Sequence, residues 1–137
     1  MGTRSKTIVI NSEGEKYLQF YRQMDGYPQA PGHGNDLLEF MKSGRVVNGI
    51  PMNVEKERLF NGAGCFAAQL IAALKDGAGS IYLEPHDWPL YENDYTYQIV
   101  MPEPGGEFHI TVWEFGEQIF ADNLDVFETW IKSMAEE

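Results

Sequence analysis

The chain has 137 residues, 43% of them hydrophobic and 23% charged, with a net charge of −11. That length suits a single domain, 1–137, with a core of its own, and the composition excludes wholesale disorder. The charge is uneven: residues 1–60 carry +1 and residues 61–137 carry −12, with Lys75 and Lys132 the only cations of the second stretch.

A surface of that sign repels phosphate backbones, so general nucleic-acid binding is not expected through it. It suits a basic protein partner, and simple solubility is the plainer explanation. The single cysteine excludes an internal disulfide and fits a reducing compartment. The apolar run Thr7 to Ile10 is too short for a signal-peptide core, and no segment approaches the roughly 20 apolar residues that span a bilayer. A soluble cytoplasmic protein without membrane contact is expected.

Lys6 to Ile10 is β-branched, Asn11 to Gly14 is a turn cluster, and Lys16 to Tyr21 is strand-like, so residues 6–22 predict a hairpin. Asp25-Gly26-Tyr27-Pro28 ends it, and a helix is predicted from Gly34 or Asn35 through Lys42, with Gly44 as its stop. Asn61-Gly62 opens a second helix to about Lys75, with Ala63, Phe66, Ala67, Leu70, Ile71 and Leu74 at helical spacing. Ala68, Ala72 and Ala73 extend its apolar surface almost all round, the mark of a central core helix.

Ser80 to Leu83 predicts a short strand, and Tyr95–Met101, Phe108–Trp113 and Gln118–Ala121 predict an antiparallel meander. Asn123 is placed to cap a last amphipathic helix that buries Leu124, Phe127, Trp130, Ile131 and Met134. The fold class expected is α+β: an antiparallel sheet packed against a central apolar helix and a C-terminal amphipathic helix.

The segment Tyr21 to Pro28, followed by Gly32-His33-Gly34, gathers chemically capable side chains in a turn-rich connection. His33 lies between glycines just before a helix, where an exposed ring would stand beside free backbone N–H groups able to hold a carboxylate or phosphate. Arg22 offers a bidentate contact and Asp25 an orienting carboxylate. With Arg4 and Tyr27 these make a candidate site for binding or hydrolysing a small molecule or nucleotide derivative: Arg4, Arg22, Asp25, Tyr27 and His33. Its membership assumes that the first strand leads back beside the loop. A purely structural role for the same residues is the competing explanation.

No catalytic residue is assigned. Cys65 stands at a helix start but has apolar neighbours and no evident base, so it reads as core filler. His86-Asp87, with Glu84, Glu92 and Asp94 nearby, lacks metal-ligand spacing, and Gly62 and Gly64 lack the ending of a phosphate loop. No metal or cofactor is expected. His109 reads as a surface residue of a strand.

Met1-Gly2-Thr3-Arg4-Ser5, the motif Tyr21-Arg22-Gln23-Met24-Asp25-Gly26-Tyr27-Pro28 with Gly32-His33-Gly34, and Tyr95-Thr96-Tyr97 resemble a family of small phage, prophage and bacterial proteins. Asn48-Gly49, Asn61-Gly62 and Cys65 to Leu70 fit the same pattern, so the resemblance covers most of the chain. Family members often carry histidine where this chain has Gln23 and a large residue at Met24, so a titratable group is missing here. The resemblance implies membership and a cytoplasmic location, and leaves the activity open. The leading expectation is a non-enzymatic binding or accessory protein that engages a protein partner through the acidic C-terminal half. Self-association through Trp113, Phe115 or Trp130 is the third possibility.

Overall fold

The chain opens with the expected hairpin, β1 (Ser5–Ile10) and β2 (Lys16–Arg22), closed through Asn11, whose side chain accepts the N–H groups of Glu13 and Glu15. In the computed structural model, which describes residues 2–50, 57–91 and 94–135, there follow α1 (His33–Lys42), β3 (Gly44–Val46), β4 (Arg58–Phe60) and α2 (Gly62–Leu74). The remainder is β5 (Ile81–Leu83), β6 (Tyr95–Val100), β7 (His109–Glu114), β8 (Glu117–Asn123) and α3 (Leu124–Ala135). The class is α+β, as expected.

Six strands form one sheet in the order β5-β2-β1-β6-β7-β8. The meander β6-β7-β8 is antiparallel, but it joins the hairpin through a parallel β1–β6 pair, with Ser5 beside Tyr95 and Ile10 beside Val100. The sheet is therefore mixed rather than purely antiparallel. β3 and β4 form a separate parallel pair that periodicity could not reveal, since each has only three residues.

All three helices lie on one face. That face presents Val9, Leu18, Phe20, Tyr97, Ile99, Ile110 and Val112, which share a core with Leu37, Met41, Phe66, Leu70, Phe127 and Ile131. Phe40, Phe60, Phe66 and Phe108 form its aromatic centre, with ring centroids 4.9–6.0 Å apart, a geometry worth roughly 1 kcal/mol per pair beyond burial.

α2 spans the predicted residues but buries only the stripe Ala63, Phe66, Ala67 and Leu70, while Ala68, Ala72 and Ala73 face solvent. It is a one-sided helix on the sheet: alanine favours the helix and tolerates water equally well, so composition overstated its burial. α1 begins one residue early and ends at Lys42 as expected, capped by Ser43, whose hydroxyl donates to the Phe40 carbonyl at 2.6 Å; Gly44 instead starts β3.

α3 is capped as expected, the Asn123 Oδ1 accepting the Val126 N–H at 3.0 Å. Asn123→Ala should cost about 1 kcal/mol, read as a lower urea midpoint with an unchanged m value. No change in midpoint would mean that the cap contributes nothing.

Candidate functional site

The loop between β2 and α1 spends its polar groups on its own construction. Asp25 adopts a left-handed conformation, φ 60°, which aspartate tolerates better than most residues. Its carbonyl accepts the His33 N–H at 2.7 Å, and the Gly26 N–H donates to the Thr3 carbonyl at 2.9 Å. The buried Tyr97 hydroxyl donates to the Gly26 carbonyl at 2.6 Å.

The glycines are spatial necessities here. A Cβ on Gly26 would stand 2.8 Å from the Arg4 carbonyl carbon, and one on Gly32 would stand 2.2 Å from the Tyr27 carbonyl oxygen. The first strand does lead back beside the loop, as the inclusion of Arg4 required.

His33 is fully buried, not exposed. Its ring enters the core edge-on to Phe20 and Tyr97, with centroids 5.7 and 5.1 Å away. Thr7 Oγ1 lies 2.7 Å from Nε2 and Arg22 Nη1 lies 3.1 Å from Nδ1. Arginine can only donate, so Nδ1 accepts and the imidazole proton sits on Nε2, donating to Thr7. Burial, with the Arg22 charge beside it, lowers the His33 pKa to about 3. The ring is neutral and internal. The flanking glycines that suggested exposure allow backbone contact instead: a Cβ on Gly34 would meet the Pro28 backbone at 2.6 Å.

Arg22 is similarly committed. Besides His33 it donates to Asp36 Oδ2 at 2.7 Å and to the Met24 carbonyl at 2.8 Å, so its ion pair is with Asp36 rather than Asp25. The five candidate residues do not meet in one cleft. Arg4 lines a recess of ≈ 420 Å³ with Tyr21, Gln23 and Asp94. Tyr27 lines another of ≈ 260 Å³ with Thr3, Asp94, Tyr95 and Glu114. Asp25 is exposed, and His33 lies within the core.

The sheet face away from the helices holds a buried polar cluster that the residue pattern concealed. Lys6, Gln19, Thr96 and Thr111 are buried there beside Ile8, beneath the segment Glu84–Tyr91. Lys6 Nζ lies 3.3 Å from Glu84 Oε1 and donates to the Pro89 carbonyl at 2.5 Å, with both side chains 7% exposed. Gln19 Nε2 donates to Glu84 at 3.0 Å and to the Trp88 carbonyl at 3.2 Å. Lys16 Nζ reaches Gln19 Oε1 and the His86 carbonyl at 2.7 and 2.8 Å.

Cys65 is half-buried, with Gln69 Nε2 3.2 Å from its sulfur, an amide that cannot act as a base. His109 is exposed on β7. No cluster of three metal-ligating side chains occurs among the described residues; Glu92 lies outside them. No described helix is long and apolar enough to cross a membrane.

The acidic half acquires a definite shape. No lysine or arginine occurs from residue 95 to residue 131, and that stretch supplies β6, β7 and β8, which complete one side of the sheet. Exposed Glu107, Glu117, Asp122 and Asp125 surround the edge strand β8. Glu114 accepts the Tyr95 hydroxyl at 3.1 Å, and burial, then this contact, pushes the Tyr95 pKa up to about 12. Trp113 packs against Tyr91 and Trp130 against Phe120, whereas Phe115 is 71% exposed.

Neither a protein-family model, a curated protein nor a solved structure matches the chain.

Proposed function

We propose that this chain is a non-enzymatic binding protein, of the phage or mobile-element accessory type, that engages a basic protein partner through the surface around β8. The observation that carries the reading is the cation-free stretch from residue 95 to residue 131, whose strands β6, β7 and β8 form one side of the sheet and which leaves Glu107, Glu117, Asp122 and Asp125 exposed. Charges gathered on one surface steer an oppositely charged partner, whereas scattered charges serve solubility alone. The binding loop suggested by the residues Arg22 to His33 is a weaker alternative, because Arg22 and His33 already satisfy each other.

Used as bait in a cell lysate, the chain should retain one stoichiometric basic protein at low salt. The complex should weaken steeply as salt rises, because the Debye length falls from about 30 Å at 0.01 M to about 8 Å at 0.15 M. The double reversal Glu117→Lys with Asp122→Lys should abolish capture while thermal unfolding stays cooperative. Recovery of nothing specific at low salt, or equal recovery by the reversed protein, would overturn the reading.

A further inference from the structure

The two edges of the main sheet are built differently. β5, at one edge, has three residues, and Lys75 ties it down by donating to the Ile81 carbonyl at 2.6 Å while its ammonium lies 5.4 Å from the Tyr82 ring. A short edge closed by a lysine is a common defence against unwanted strand pairing. β8, at the other edge, has seven residues and contains no lysine, arginine or proline; its one irregularity is a bulge at Ile119, between the Trp113–Gln118 and Val112–Phe120 pairs. Among the described residues, only the Asn123 N–H of β8 is bonded outside the pairing with β7, to Asp122 Oδ1 at 2.7 Å.

The turn that leads into this edge is anomalous. Glu114 pairs with Glu117, so Phe115-Gly116 is a two-residue hairpin loop, and both residues have positive φ, 48° and 81°. Such turns favour asparagine, aspartate or glycine at the first position; a bulky aromatic there is strained. Packing does not repay that strain, because the Phe115 side chain points largely into solvent. Ile119, 37% exposed, follows it on the strand. A strained, solvent-facing aromatic at the mouth of an open edge fits an anchor for a partner.

We infer that the β8 edge accepts an extended basic segment of a partner protein as an added strand, with Phe115 as the anchor at its end. The backbone of the partner would continue the sheet beyond β8, and its lysines or arginines would stand beside Glu117 and Asp122. A second copy of this chain is a poor occupant, since pairing two β8 strands brings together two edges of the same negative sign, each carrying Glu117 and Asp122. The inference rests on the proposed binding of a basic partner and specifies its geometry.

The test uses the full chain and a soluble synthetic peptide that alternates lysine with threonine. A matched peptide N-methylated at alternate backbone amides has the same charge but cannot pair as a strand. The unmodified peptide should bind and slow amide exchange in residues 117–123, and N-methylation should weaken it at least tenfold. Phe115→Asn should raise the melting temperature by relaxing the turn, yet weaken the peptide at least fivefold. Equal binding of both peptides, or protection elsewhere, would overturn strand addition while leaving a basic partner in place. Absence of binding by either peptide at low salt would overturn both. A concentration-dependent dimer with β8 protected would replace the partner by a second copy and overturn the inference.

Discussion

Lys6→Ala is expected to cost about 3 kcal/mol of stability, because it strands a carboxylate under the Glu84–Tyr91 segment. Lys6 and Glu84 are each only 7% exposed, and the Lys6 ammonium also donates to the Pro89 carbonyl. Removing one member of a buried pair typically costs about 3–5 kcal/mol, since the remaining charge keeps its desolvation and loses its partner. Here Gln19 Nε2 still donates to Glu84 at 3.0 Å, which places the loss at the lower end. Against a total stability of about 5–15 kcal/mol for a domain, that is a large fraction.

The double variant Lys6→Met with Glu84→Gln separates the worth of the pair from the penalty of breaking it. Methionine refills the space of the lysine stem, and the glutamine carbonyl can still accept from Gln19. Well-packed replacement of a buried ion pair is often neutral, so most of the loss should return, leaving the double variant within about 1.5 kcal/mol of the parent. Urea unfolding of the three proteins, with amide exchange over residues 85–91, measures both effects. A Lys6→Ala cost below about 1 kcal/mol, the range of surface pairs, would show that the pair is hydrated.

The Lys6 cluster also shows where legibility ended. Helices and meander strands were readable because each has enough residues for its period to show: Leu37, Leu38 and Met41 on α1, Tyr95, Tyr97 and Ile99 on β6, Leu124, Phe127 and Ile131 on α3. The Asn123 cap followed from its position before an apolar stripe. The parallel β1–β6 junction was hidden, because alternation within each strand is the same whichever neighbour lies beside it. Strand alternation puts Lys6 and Gln19 on the hairpin face away from the helices; only the later segment that covers them makes them internal.

Residue types mark the loop but not the direction in which its side chains point. Gly-His-Gly suggested an open ring, whereas the glycines serve close backbone packing and let His33 turn inward. Phe115 could be singled out as an aromatic, but its significance depends on the hairpin register that gives it a positive φ. The acidic interval is fully visible in the residues, and the gathering of its meander part, from residue 95 on, along one side of the sheet follows from the strand order.

The buried imidazole predicts a distinct acid sensitivity. The unfolded chain holds His33 at a pKa near about 6.5, while burial and the neighbouring Arg22 hold it at about 3 when folded. Between those values the unfolded state binds one more proton than the folded state, so stability falls as pH falls from 6.5 towards 3. One pKa unit corresponds to about 1.4 kcal/mol, so the loss between about pH 6.5 and 4.5 is roughly 2–3 kcal/mol. The upper part of that window, above about pH 5, lies beyond the ordinary carboxylate range, so the slope there belongs to histidine. His33→Gln places an amide N–H where Nε2–H meets Thr7 and removes the titrating group. It should lower stability at pH 7 yet flatten the curve between about pH 6.5 and 4.5, so that the two proteins converge in acid. Urea midpoints across that range measure the difference. Parallel curves for the two proteins would mean that His33 is protonated in the fold, with Arg22 turned away from it.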